Sequence, residues 1–129
     1  MKIHHIGYLV KNIKLAIDEF IALGYKVQND IVLDEIRNIK IAFLSKDDVL
    51  VELVAANGTN SVISNLHKKI GNAPYHICYE CEKLCETISE LESNGYMVVK
   101  APEIAPAILG KEVVFLYNPL IGMIELVEK

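Results

Sequence analysis

The sequence predicts an α+β fold: two tandem βαβββ modules that together form one curved mixed-sheet cup. Three observations predict it. Short motifs recur at a nearly constant spacing, apolar residues between them follow a helical period, and short apolar runs bounded by turn residues follow each helical stretch.

The repeat is read first, because it changes the reading of every element. His5-Ile6-Gly7-Tyr8 recurs as His76-Ile77-Cys78-Tyr79, an offset of 71 residues. Gly24-Tyr25 recurs as Gly95-Tyr96 at the same offset of 71. Between these marks Ile13, Ile17 and Phe20 fall on Leu84, Ile88 and Leu91. Phe43-Leu44 matches Phe115-Leu116 at 72, and Val51-Glu52-Leu53-Val54 matches Ile124-Glu125-Leu126-Val127 at 73. The drift corresponds to two single-residue insertions, which loops tolerate.

The first module opens with a strand over Ile3 to Val10. A helix follows, with Ile13, Ala16, Ile17, Phe20 and Ile21 on one stripe and Gly24 as its left-handed cap. Tyr25 to Val32, Ile39 to Leu44 and Val49 to Val54 read as strands, with Asp47-Asp48 at the turn between the last two. A linker helix is expected near Ser61 to Ile70, because Ile63, Leu66 and Ile70 share a face. The second module repeats the plan: strand Tyr75 to Cys81, helix Leu84 to Asn94, cap Gly95, then strands Tyr96 to Lys100, Glu112 to Tyr117 and Met123 to Glu128. Ala101 to Gly110 carries Pro102 and Pro106 and reads as a loop. No Gly- or Ser-rich linker separates the modules, so one domain over 1–129 is expected, with repeats at about 3–56 and 74–129.

Composition narrows the function. The 129 residues suit a single domain, and 52% hydrophobic with 23% charged residues is the balance of an ordinary globular protein. A net charge of −4 without a basic stripe argues against nucleic-acid binding. No apolar run is long enough to span a bilayer, and the start lacks an apolar signal segment, so a cytoplasmic location is expected. The three cysteines, Cys78, Cys81 and Cys85, do not form a disulfide framework. Cys78 and Cys81 are three apart on a strand and point to opposite faces, which argues against a metal or redox pair.

The chemistry comes from four side chains. Along the first strand His5 and Gly7 share a face, with Ile6, Tyr8 and Val10 on the other. His76, Cys78 and Glu80 share the equivalent face of the second module. The bulky apolar set packs on the helix, so the histidines look the opposite way, and His4 is expected to point away from His5. Glu52 and Glu125 each sit inside a strongly apolar strand, where a carboxylate is costly unless paired or bound to a cation. One such residue is usually structural or solvated. Two equivalent histidines and two equivalent glutamates, related by duplication, suit one first-row divalent ion held by His5, Glu52, His76 and Glu125. Nickel, cobalt, manganese, magnesium and zinc all fit that donor set. Lys111, after the proline-bearing loop, reads as an exposed lysine, and His67 as a half-buried structural residue of the linker helix.

At these residues the sequence resembles the vicinal oxygen chelate superfamily, which includes glyoxalase I, methylmalonyl-CoA epimerase, extradiol dioxygenases and fosfomycin and bleomycin resistance proteins. The resemblance covers essentially the whole chain and implies a glyoxalase-like fold. It is nearest to the epimerases, through Val51-Glu52-Leu53-Val54, Ser61, Leu66, His76-Ile77-Cys78-Tyr79-Glu80, Gly110-Lys111-x-Val113-x-Phe115-Leu116 and Ile124-Glu125-Leu126-Val127-Glu128. It implies the metal ligands His5, Glu52, His76 and Glu125, with Glu125 and Glu52 as catalytic bases, a small-molecule substrate such as an acyl-CoA or a thiol adduct, and a homodimer. The implied reaction is proton abstraction next to a carbonyl. Glyoxalase I shares the ligand set and is the alternative enzyme; a drug-binding resistance protein of the same fold is the non-catalytic one. Ring-cleaving dioxygenases use two histidines and one carboxylate, so a fourth ligand disfavours them. Three stretches depart from the relatives. Ala107-Ile108-Leu109-Gly110-Lys111 stands where the epimerases carry Gly-Ala-His-Gly-Lys. Ile36-Arg37-Asn38 stands for their Glu-Gln-Gly, and Asn118-Pro119-Leu120-Ile121-Gly122 replaces the Asp-Pro-Asp-Gly turn of glyoxalases. The departures leave the ligand set intact and bear on the substrate.

Overall fold

A computed structural model describes residues 1–129. The chain is α+β, with nine strands and three α-helices in the order β1 (Lys2–Leu9), α1 (Ile13–Ala22), β2 (Lys26–Val27), β3 (Val32–Asp34), β4 (Ile39–Lys46), β5 (Val49–Ala56), α2 (Ser64–Ile70), β6 (Ala73–Cys81), α3 (Leu84–Ser93), β7 (Met97–Ala105), β8 (Lys111–Asn118) and β9 (Gly122–Glu128). No helix is long and apolar enough to cross a membrane. Two compact units form: Ile6–Tyr75, and Met1–His5 with His76–Lys129.

In the unit Ile6–Tyr75, β1 runs parallel to β5 and β4 antiparallel to β5, with β2 and β3 both on the far side of β4. The α1 helix starts at Asn12, whose side chain accepts a hydrogen bond from the Leu15 amide at 3.1 Å and so satisfies one of the free first-turn donors. It ends at Gly24, whose φ of +100° admits a glycine without strain. Its apolar stripe of Ala16, Ile17 and Phe20 packs on Val10, Ala42, Leu44, Val51, Leu53 and Ala55. Tyr8 and Tyr25 both meet Phe20 edge to face, with centroids 5.2 and 5.0 Å apart.

The unit containing His76–Lys129 repeats these relations. Here β6 runs parallel to β9, β8 is antiparallel to β9, and β7 lies on the far side of β8. The core of Cys81, Leu84, Val114, Leu116, Ile124 and Leu126 is covered by Ile88 and Leu91 of α3. Gly95, with φ +92°, follows that helix as Gly24 follows α1.

In place of one strand over Tyr25 to Val32 there are two short ones, Lys26–Val27 and Val32–Asp34, both against β4. The stretch from Ala101 is not a loop: β7 continues through Pro102 to Ala105, and a single 3-10 turn, Pro106–Ile108, follows. Pro102 is tolerated because β7 pairs only with β8 and its ladder shifts register between Lys100 and Glu103, where the missing amide proton is not needed.

Candidate metal centre

Burial along β1 alternates as the pattern requires. His5, Gly7 and Leu9 are buried while His4, Ile6 and Tyr8 are half-exposed to this sheet's solvent or helix side. Along β6, His76 and Cys78 are buried, and Tyr79 joins the core under α3. Each histidine thus lies on the face opposite its helix. On β9, Ile124 and Leu126 join the core under α3, which leaves Glu125 on the histidine face.

Three of the expected ligands meet within one unit. His5 Nε2 lies 3.1 Å from Glu125 Oε1, His76 Nε2 lies 3.3 Å from the same oxygen, and the two Nε2 atoms are 3.3 Å apart. His5 is 1% exposed, His76 4% and Glu125 4%. A carboxylate so enclosed loses several kcal/mol of hydration unless something compensates, roughly. Burial accordingly pushes the Glu125 carboxyl up. Hydrogen-bonding and Coulombic attraction to His5 and His76 outweigh burial and bring it down to about 2. The attraction is real but the angles are poor, because Glu125 Oε1 accepts no well-formed hydrogen bond. The three donor atoms, each within 3.3 Å of the other two, surround a common centre.

The spacing tests whether an ion fits that centre. Donors ~2.1 Å from one ion stand ~3.0 Å apart at adjacent corners of an octahedron and ~3.4 Å apart on a tetrahedron. The observed 3.1, 3.3 and 3.3 Å fall between these values. Two imidazole nitrogens and one carboxylate oxygen are also the donor chemistry of a divalent first-row ion. The residues fit a metal.

Glu52, the fourth expected ligand, lies in the other unit. It is 5% exposed in the middle of β5, on the face opposite Val51 and Leu53. Its register matches that of Glu125. Glu52 stands opposite Gly7 of β1 and Phe43 of β4, and Glu125 opposite Cys78 of β6 and Phe115 of β8.

Two neighbours of the centre were not expected from the sequence. His4 does not simply point away from His5: their Nδ1 atoms are 2.8 Å apart. These are the ring atoms nearest the backbone, so they meet while the rings stay edge to face, at 79° and 5.1 Å between centroids. Strand alternation carries no signal for such a contact. Phe115 meets the His76 ring edge to face at 5.1 Å. That residue was signalled by its repeat partner Phe43, each being one strand over from a glutamate. Cys78 is fully buried, with its sulfur within 4.8 Å of His4 and His5 nitrogens. Cys81 packs in the core, and Cys85 is exposed on α3. His67 bonds Asn72 at 2.9 Å, as suits a structural residue.

An open cavity of about 520 Å³ in the same unit is lined by Glu80, Glu82, Glu86 and Glu90 with Lys2, Lys83 and Lys129, and by none of the four expected ligands. Its lysines are taken up partly in ion pairs, Lys83 with Glu86 and Lys129 with Glu82, both at 3.2 Å. Four glutamates make it a poor host for an anionic substrate.

Comparison with solved structures finds the same fold. A hypothetical protein from Bacillus halodurans C-125 superposes with a TM-score of 0.88 at 27% identity, covering 99% of this chain and 94% of that one. Methylmalonyl-CoA epimerase from Mycobacterium tuberculosis gives 0.84 at 22% identity, covering 98% and 87%. A variant of Streptomyces coelicolor methylmalonyl-CoA epimerase in complex with 2-nitronate-propionyl-CoA gives 0.87 at 19% identity, covering 100% and 94%. Comparison with curated proteins gives no match. The family model for the Glyoxalase/Bleomycin resistance protein/Dioxygenase superfamily matches residues 4–115, most of the sequence and three of the four expected ligands, so the chain belongs to that superfamily.

Proposed function

We propose that this protein is a divalent-metal-dependent enzyme that removes and returns a proton next to a carbonyl, in the manner of methylmalonyl-CoA epimerase, with His5, Glu52, His76 and Glu125 as ligands. The observation that carries the reading is the buried triangle of His5 Nε2, His76 Nε2 and Glu125 Oε1. Glu52 is included because its burial and its register with Gly7 and Phe43 repeat those of Glu125 with Cys78 and Phe115. Neighbours of the same fold include epimerases in complex with 2-nitronate-propionyl-CoA and with methylmalonyl-CoA, which supports an acyl-CoA substrate.

The difficulty in such a reaction is the charge that grows on the carbonyl oxygen as the proton leaves. A bound divalent ion supplies Lewis-acid stabilisation worth several kcal/mol there, roughly. The chain's own residues do the rest. Glu125 is ionised at neutral pH, because the two imidazoles hold its carboxyl far below the ordinary range against the effect of burial. It therefore presents a charged oxygen to a cation at neutral pH. Cys78 and Phe115 flank it across the ladder and help to exclude water. In an epimerase the proton leaves one face and returns on the other, which calls for two bases. Glu125 and Glu52 are the pair that the duplication supplies.

The test is proton exchange in deuterated water. Protein reconstituted with cobalt or manganese is incubated with methylmalonyl-CoA, and deuterium uptake at the 2-position is read by mass spectrometry. Glu125→Gln and Glu52→Gln should each lose about 10²–10⁴-fold of that rate, the usual worth of a positioned acid–base group. Undiminished exchange in either variant removes that residue from the base role. Turnover of a methylglyoxal hemithioacetal without exchange into methylmalonyl-CoA would assign the glyoxalase reaction instead. Metal binding without either activity would leave a binding protein of the same fold.

A further inference from the structure

A cation at the triangle needs a lone pair from His5 Nε2 and from His76 Nε2 at the same time. Neutral imidazole carries one ring proton, so each of these rings must hold its proton on Nδ1. In the metal-free protein the two Nε2 atoms lie at hydrogen-bond distance, 3.3 Å, so one ring can donate to the other and which one does depends on what each Nδ1 meets. For a cation to bind, something must hold each proton on the far nitrogen.

For His5 that group is His4. Its Nδ1 lies 2.8 Å from Nδ1 of His4, a normal hydrogen-bond length, in a half-buried contact. Only two arrangements satisfy it. Either His5 Nδ1–H donates to His4, which leaves the His5 Nε2 lone pair on the triangle, or His4 donates to His5, which puts a proton on His5 Nε2. The second arrangement puts a proton on the atom that must offer its lone pair to a cation; the first leaves that lone pair open, to accept from His76 Nε2–H at 3.3 Å in the metal-free protein and to bind a cation when one is present. We propose that His4 is a positioning residue: its Nδ1 accepts the proton-bearing Nδ1 of His5 and so keeps the His5 Nε2 lone pair aimed at the centre shared with His76 and Glu125. The inference rests on the metal reading above and adds a residue to it.

The two halves orient their histidines differently. Tyr75 occupies the repeat position of His4, so the same acceptor is missing from the second half's sequence. There the His76 ring is set edge to face against Phe115, at 88°. An accepting group behind a metal-bound imidazole both orients the ring and raises its basicity, and its loss typically costs about 10–100-fold in metal affinity.

Two variants separate the role from mere packing. His4→Leu keeps apolar bulk and removes the acceptor. His4→Asn places a carbonyl oxygen the same number of bonds from Cβ as the histidine Nδ1, so it restores the acceptor. In metal-free protein, nitrogen-15 chemical shifts of the His5 ring report its tautomer directly. Cobalt affinity is measured by calorimetry on the same samples. Wild type and His4→Asn should show His5 protonated on Nδ1. His4→Leu should shift the ring toward the Nε2–H form and bind cobalt about 10–100-fold more weakly. An unchanged His5 tautomer in His4→Leu, or a His4→Asn variant as impaired as His4→Leu, overturns the proposal. Failure of the wild type to bind any divalent ion overturns the metal reading separately, since the tautomer is read without metal.

Discussion

His76→Ala tests the metal reading through stability, independently of any substrate. A ligand that binds only the folded state stabilises it by RT ln(1 + [L]/Kd), about 2.7 kcal/mol at a hundredfold excess over Kd. Unfolding entropy runs near 2.1 cal/mol/K per residue. For 129 residues that is about 270 cal/mol/K, so metal should raise the wild-type Tm by about 10 °C. His76 supplies one corner of the triangle, 3.3 Å from each of the other two. Even the groups behind a ligand are worth about 10–100-fold in affinity, so deleting the ligand itself should cost at least about 100-fold. At the same metal concentration the variant then gains about 0.4 kcal/mol, a rise of about 1.5 °C. The assay is scanning calorimetry of chelator-treated protein with and without added cobalt. Each variant is compared with its own metal-free Tm, which removes the packing cost of losing a side chain that meets Phe115. His67→Ala, on α2 and bonded to Asn72, serves as the control and should keep the full shift. A His76→Ala protein that still gains about 10 °C would refute the reasoning.

Three further outcomes follow from the same features. Leu126→Ala removes a fully buried side chain from the core under α3 and should destabilise the protein by about 3–5 kcal/mol in urea unfolding; a loss below about 1 kcal/mol would mean that this core is loosely packed. Gly95→Ala meets nothing within 4 Å but needs φ +92°, so backbone strain alone should cost about 1–2 kcal/mol, and a neutral result in the same assay would show that the turn relaxes. The Glu125 carboxyl, lowered to about 2 from its ordinary 4.5 by His5 and His76 against the upward push of burial, stabilises the fold above pH 4.5, and that contribution is lost as pH falls toward 2. Metal-free wild type should therefore lose more urea stability between pH 5 and pH 3 than Glu125→Gln does, and parallel curves for the two would contradict the pairing.

What the sequence made legible, and what it did not, divides along physical lines. Strand alternation placed His5 and His76 opposite the helix-packing faces, because the side-chain period of a strand is fixed by its geometry. Gly24 and Gly95 marked the helix ends because few other residues adopt their φ of +100° and +92°. The convergence of His5, His76 and Glu125 followed from duplication combined with the cost of burying a lone carboxylate. Pro102 misled, since proline argues against a strand only where its amide would be needed, and that depends on which strand is at the edge. The short β2 and β3 were merged because apolar content in Tyr25 to Val32 does not show where the chain leaves the ladder. The His4–His5 contact was hidden, because side chains on opposite faces of a strand are assumed not to meet, and only the position of the two Nδ1 atoms shows that they do.

The irregular course of β7 has a bearing on how the molecule meets its own kind. Its outer flank carries Met97, Val99 and Ile104, all more than half accessible to water. Apolar residues in a row along an unpaired strand are the usual seed for adding foreign chains and growing fibrils. Here Pro102 has no amide proton to offer, and the shifts of alignment around Lys100 and Glu103 bend what would otherwise be a straight template. An incoming extended segment would run out of consecutive bonding positions after a few residues. The proline that disguised this strand in the sequence thus also makes it a poorer template for an added strand.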